Sequence, residues 1–289
     1  MSVIKNELQK LANRAGGAFK TVSDRESMAG RIADALKAAN IQISSIEHLK
    51  SKHIESYIQG RLQDGIGKRT LQNEMSSMRG ILREAGRDTL ADSERISNKS
   101  LGIDNASRNG THLAMPNDMY NCLIERLDQV DKGVSACAQL ERWLGLRGEE
   151  AVQSNKSLLM WEKQLSKDDT VRVIYGTKGG RPRDVRIVDV ARAREAIKYG
   201  RERMRETGGM LINKKGLKSA MDRYAYVMRT NGCTGEYSPH SLRYAYACDS
   251  IDRYEAQGYS HKDALAQTSQ DLGHGDGRGR YIAQVYLRK

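Results

Sequence analysis

The sequence has no run of about 20 apolar residues, the length a membrane-crossing helix requires. Its opening, MSVIKNELQKLANRAGG, lacks the apolar stretch and cleavage pattern of a secretory signal, so an intracellular location without a membrane partner is expected. Cysteine is scarce: Cys122, Cys137, Cys233 and Cys248 form no Cys-x-x-Cys pair, which argues against a structural zinc site. In a reducing compartment these thiols act as small, partly buried hydrophobes. The acidic residues show no metal-ligand spacing, so no metal site is expected, and there is no internal repeat or low-complexity tract. Negative charge is also short, with 36 Asp and Glu against 48 Lys and Arg and a formal charge of +12. That balance favours a polyanionic partner through phosphate neutralisation, although the same charge also keeps an ordinary protein dispersed.

A chain of 289 residues is longer than one hydrophobic core usually serves, which suggests two compact domains or one large one. From Val22 to Gly86 the pattern is helical. Ser23 and Glu26 form a capping-box pattern ahead of the stripe Met28, Ile32, Leu36 and Ala39. A second apolar face uses Ile54, Tyr57, Ile58 and Leu62 and stops near Gly65, and a third uses Leu71, Met75, Met78 and Leu82 before Gly86. Lys68 and Arg69 precede Thr70, a candidate N-cap, so two cations and free backbone N–H groups could meet a DNA phosphate there; a solvated helix start is the alternative. Residues 88–111 are polar, rich in turn formers and without a sustained period, and are expected to be a surface linker. The second domain, 112–289, opens near Pro116 with a helix bearing Leu123, Ile124 and Leu127, and another runs through Leu140, Trp143 and Leu144. Its one clear β signal is Thr170 to Val188, where TVRVIYG and RDVRIVDV flank TKGGRP, a connection suited to a hairpin. The fold class expected is therefore mainly α with a small antiparallel β-sheet.

Five places in the second domain carry reactive groups. Arg147 follows an apolar helical segment in Gly-Leu-Arg-Gly-Glu-Glu, and Lys178 lies between turn residues at the hairpin tip. In Ser238-Pro239-His240-Ser241-Leu242-Arg243, Ser238 can cap, Pro239 suits the first helical position, and His240 and Arg243 share one helix face. Leu-Gly-His274 and the segment Tyr281-Ile-Ala-Gln-Val-Tyr286 complete the set. Arg147 alone is a weak signal, and the others each have a plainer reading: an exposed turn lysine, a surface histidine beside a surface arginine, and packed amphipathic tyrosines.

Their joint order, Arg, Lys, His-x-x-Arg, Gly-His, Tyr, resembles the tyrosine recombinases, the family of phage integrases and Xer-type recombinases. The resemblance covers nearly the whole chain. It implies that residues 1–87 form a helical, SAM-like core-binding domain that clamps DNA, and that residues 112–289 form the catalytic domain. By similarity, Arg147 with Glu150 matches the first-arginine motif and Lys178 the hairpin lysine. His240 and Arg243 match the His-x-x-Arg signature, and His274 the second histidine. Tyr281 lies seven and Tyr286 twelve residues beyond His274, either side of the family's usual spacing. Tyr286 is preferred as nucleophile because Ile282-Ala283-Gln284-Val285 resembles the segment preceding the family tyrosine, and Tyr281 is the alternative. The implied activity is site-specific recombination through a 3′-phosphotyrosyl intermediate, without cofactor, metal or ATP. The implied roles are Arg147 and Arg243 stabilising charge, His240 acting as base, Lys178 as acid, and His274 hydrogen-bonding the scissile phosphate. The implied partners are double-stranded DNA and three further copies of the chain on paired sites, in the bacterial cytoplasm or nucleoid and encoded by a phage or mobile element. With only three residues after Tyr286, subunit communication is expected to use a segment other than a long C-terminal helix, and no separate arm-binding domain is expected before residue 20, although residues 1–20 could make accessory contacts. Two competitors share features of the reading: a type IB topoisomerase-like enzyme, and a DNA-binding protein that keeps the fold without cleaving.

Overall fold

The computed structural model describes residues 3–287. Residues 1, 2, 288 and 289, the extremities of the two expected domains and the end of the tail after Tyr286, lie outside the described residues. The chain divides into two compact units between Ser107 and Arg108.

The first unit is helical: α1 (Val3–Arg14), α2 (Phe19–Ala38), α3 (Ser51–Gln63), α4 (Lys68–Glu84) and the single turn α5 (Asp88–Ala91). Its core joins Leu8 and Leu11 of α1 to Met28 and Ile32 of α2, Ile54 and Ile58 of α3, and Leu71, Met75 and Met78 of α4. The three apolar stripes of the sequence are thus core faces. Within this core the Glu74 carboxylate accepts from Tyr57, Arg31 and Arg61, each at 2.9 Å, which satisfies a charge that burial would otherwise penalise.

Three details differ from the sequence reading. Ser23 is no cap: α2 begins at Phe19, and Glu26 accepts from Asn13 of α1 at 3.1 Å. Packing of α1 against α2 extends α2 beyond the local cap signal, and this amphipathic α1, with Ile4, Leu8, Leu11 and Ala12 buried, lies within residues 1–20, the stretch that could make accessory contacts. Thr70 is no N-cap either, because α4 starts at Lys68 with Gly67 as its cap. Lys68, Arg69 and Thr70 are exposed in its first turn, and Arg69 donates to Gln72 at 3.0 Å. Finally, residues 88–103 are no free linker. Ala91, Ile96, Leu101 and Ile103 are buried in the first core, and Arg79 and Gln72 hold the carbonyls of Ile96 and Ile103 at 2.8 and 2.7 Å. Four apolar anchors among polar neighbours are too sparse for a periodic signal, yet enough to fold the segment down.

The second unit contains α6 (Asn117–Val130), α7 (Lys132–Leu144), α8 (Gly148–Val152), α9 (Leu158–Leu165), β1 (Thr170–Val173), β2 (Arg183–Arg186), α10 (Val190–Thr207), α11 (Leu217–Thr230), α12 (Ser241–Ala256), α13 (His261–Asp271) and α14 (Gly279–Tyr286). α7 is buried over most of its length, and its first turn is capped by Asp131, whose carboxylate accepts from the Gly133 and Val134 amides. β1 and β2 pair antiparallel, with Val171 opposite Val185, and turn Val171, Val173 and Val185 into the core. The expected hairpin is present, and residues 174–182 make its connection.

Candidate active site

Three helix ends and two helix starts meet in one place. α7 ends at Gly145, whose left-handed conformation (φ 60°) and lack of a side chain let it turn against the Tyr246 ring, where a Cβ would lie 2.5 Å from a ring carbon. The chain then delivers Leu146 to the core and Arg147 to the first position before α8. At the other end, α13 closes with a Schellman turn. The His274 amide bonds the Ser269 carbonyl at 2.9 Å, the Gly273 amide bonds Gln270 at 2.8 Å, and Gly273 takes φ 66°. This turn projects His274 and leaves the last carbonyls of α13 facing inward.

Three guanidinium groups close over those carbonyls. Arg147 donates to Leu272 O at 3.1 Å, Arg243 donates to Leu272 O and Gly145 O, and Arg183 of β2 donates through Nε to Asp271 O at 3.0 Å. Cations belong at a helix C-terminus, where the backbone dipole ends negative. The carboxylate shared among them is Glu150, fully buried. It accepts from the Arg147 amide at 2.7 Å, from Arg147 Nη1 at 2.8 Å and from both terminal nitrogens of Arg183, and Arg243 lies 3.9 Å away. Burial alone would raise the Glu150 pKa, but the Arg183 hydrogen bonds and the charges of Arg183, Arg243 and Arg147 outweigh it and bring it down to about 2.

Tyr286 ends α14 with its side chain buried and its hydroxyl inside this cluster, 2.9 Å from His274 Nε2 and 3.5 Å from Arg243 Nε. Its ring lies tilted against that of Tyr244, with the centroids 4.4 Å apart. Tyr281 is 38% exposed at the start of the same helix, its ring 4.8 Å from that of His274. Both histidines are held neutral near pH 7. Burial first, then the neighbouring Arg243 charge, lowers His240 to about 3 and His274 to about 3.

Of the six residues expected at the site, Arg147, His240, Arg243, His274 and Tyr286 come together. Lys178 is exposed on the hairpin connection. The expected pairing of His240 with the phenol is not the arrangement found: His240 meets Tyr286 only ring to ring, at 6.2 Å, and the imidazole in hydrogen-bond reach is that of His274. Ser238 does not cap α12. That helix starts at Ser241 with His240 as its cap residue, and the Ser238 hydroxyl lies 3.2 Å from His112 Nδ1. Sequence reasoning also passed over Arg183. Its signal was the two-residue alternation of β2, which puts Arg183 on the face of Val185 and so sends an arginine inward.

The fold around this cluster is that of the tyrosine recombinases. The chain superposes on a lambda integrase tetramer bound to a Holliday junction with a TM-score of 0.61 at 15% identity, covering 98% of this chain and 77% of that one. It superposes on the Tn1549 transposon integrase in complex with transposon right end DNA with a TM-score of 0.60 at 12% identity, covering 99% and 95%. With the XerH site-specific recombinase bound to a palindromic difH substrate, in a post-cleavage complex, the TM-score is 0.57 at 13% identity, covering 96% and 80%. No curated protein matches the sequence. A family model described as phage integrase, N-terminal, matches residues 1–91, and one described as integrase matches residues 102–249, just over half of the chain. The chain belongs to the phage integrase family of site-specific recombinases. The second match includes Arg147, Lys178, His240 and Arg243 and stops short of His274 and Tyr286.

Proposed function

We propose that Tyr286 is the nucleophile with which this recombinase cuts and rejoins duplex DNA. The observation that carries the reading is the phenol of Tyr286 held at 2.9 Å from a neutral imidazole and 3.5 Å from the buried Arg243 guanidinium. The phenolic oxygen attacks a backbone phosphorus, the bond from phosphorus to the 5′-oxygen breaks, and the DNA is left with a 3′-phosphotyrosyl link and a free 5′-hydroxyl. One phosphodiester is exchanged for another, so the step needs neither ATP nor a metal ion. Arg147 and Arg243 donate paired hydrogen bonds to the non-bridging oxygens as negative charge grows on them.

The phenol must lose its proton as its oxygen attacks the phosphorus. His274, neutral and in contact with the hydroxyl, is the acceptor the distances favour over His240, which is left to hydrogen-bond the phosphate. Lys178, on a long flexible stem, protonates the departing 5′-oxygen, because an alkoxide is a poor leaving group. The first unit serves as the core-binding domain, with Lys68, Arg69 and Thr70 of the α4 start against the DNA backbone, and the second as the catalytic domain. Strand exchange takes four protomers on two sites, a reading supported by the tetrameric lambda integrase on a Holliday junction.

The test uses a nicked duplex carrying the junction beside the protein's own gene, followed by denaturing gel and peptide mass spectrometry. A covalent adduct on Tyr286 that Tyr286→Phe abolishes and Tyr281→Phe retains is expected. An adduct mapped to Tyr281, or none despite tight DNA binding, would overturn the assignment.

A further inference from the structure

The second unit begins with an extended segment that touches both halves of the site. At one end, the Gly110 amide donates to Gln284 O at 3.1 Å, and Gln284 Nε2 donates to Asn109 Oδ1 at 3.1 Å. At the other, the Leu113 amide donates to Glu236 O at 2.9 Å and the Met115 amide to Ser241 O at 3.2 Å, while His112 Nδ1 lies 3.1 Å from Gly235 O. The segment is therefore stitched to the helix that carries Tyr286 and to the turn that carries His240.

Three features make the first contact more than incidental. α14 has only eight residues, too few to be stable alone, so outside contacts decide where it lies. Gln284 is in its last turn, where backbone carbonyls have no partner within the helix, and Gly110 satisfies one of them. The approach is also too close for any side chain: a Cβ on Gly110 would lie 1.9 Å from Val285 O, 2.8 Å from Val285 C and 3.2 Å from the Tyr244 hydroxyl. Gly110 does not have a positive φ, so it is space and not backbone conformation that demands glycine here.

We infer that residues 109–115 form a strap that sets the position of the nucleophile helix, with Gly110 and Asn109 acting as positioning residues on Tyr286 through Gln284. The inference rests on the reading of Tyr286 as nucleophile. A methyl group at Gly110 must push the strap and α14 apart by about 1 Å, and displacements of that size at a reacting centre cost on the order of 100-fold in rate. The strap starts at the boundary between the two units, so the first residues of the catalytic unit are also those that fix its nucleophile.

The experiment compares full-length wild type, Gly110→Ala, Asn109→Ala and Asn109→Asp. It measures single-turnover cleavage of a nicked duplex at saturating DNA, Kd for that duplex, and amide exchange of the peptide 279–286. Gly110→Ala is expected to cleave roughly 10- to 100-fold more slowly, with Kd within about twofold of wild type and faster exchange in α14. Asn109→Ala should show a smaller loss and Asn109→Asp near wild-type cleavage, because its carboxylate still accepts from Gln284. Should Gly110→Ala fail to fold, the two Asn109 variants decide the matter. Wild-type cleavage and unchanged α14 exchange in Gly110→Ala and Asn109→Ala would overturn the inference, as would a cleavage loss matched by an equal loss of DNA binding. If wild type forms no adduct, the nucleophile reading fails, while the exchange measurement still judges the strap.

Discussion

Replacing Glu150 by Gln removes the one carboxylate that three buried or half-buried guanidinium groups share. Folding lowers this carboxyl from 4.5 to about 2, which links it to about 3 kcal/mol of stability near neutral pH. Removing one partner of a buried ion pair costs a similar amount, about 3–5 kcal/mol. Both arguments give Glu150→Gln a loss of about 3 kcal/mol or more at pH 7. The natural assay is urea unfolding followed by tryptophan fluorescence, because the only tryptophans, Trp143 and Trp161, belong to the second unit, so the signal reports that unit alone. The sign follows from a depressed carboxyl: its contribution is full above pH 4.5 and is lost as pH falls toward 2. The gap between wild type and variant should therefore narrow by about 1 kcal/mol or more between pH 6 and pH 3.5. A gap below about 1 kcal/mol at pH 7, or one that stays constant on acidification, would refute the claim that Glu150 anchors the cluster.

Two further outcomes bear on the chemistry. Lys178→Ala should slow cleavage at an ordinary phosphate far more than at a 5′-bridging phosphorothiolate, whose thiolate leaves without a proton; equal losses on the two substrates would remove the acid role. With His240 and His274 both lowered to about 3, a histidine NMR titration of the protein without DNA should show neither imidazole changing charge near pH 6.5, where an ordinary imidazole does. A clear inflection there that disappears in His274→Gln would contradict the neutral site.

The helical first unit, the hairpin and the converging Arg, His and Tyr groups were legible because periodicity and motif order report local structure and chemistry. What escaped was set by distant packing. Ser23 carries a proper cap signal, yet α1 packs beside it and the helix runs through. Ile96, Leu101 and Ile103 look like strays in a polar stretch until the first core exists to receive them. The choice between His240 and His274 as partner of the phenol depends on where α14 docks, and no spacing along the chain encodes that. Gly110 looked like one turn glycine among many.

The shared carboxylate also has a consequence for timing. Three guanidinium charges against the one charge of Glu150 leave two positive charges in the cluster, and neutral histidines add none. On the proposed reading a phosphodiester brings one negative charge to these two positive ones, and attack by Tyr286 with its proton passed to His274 raises both sides together, to two negative charges against three positive. The attraction is then largest at the pentacoordinate state, which favours the species halfway through the reaction over the DNA at either end of it and suits a step run both forwards and backwards.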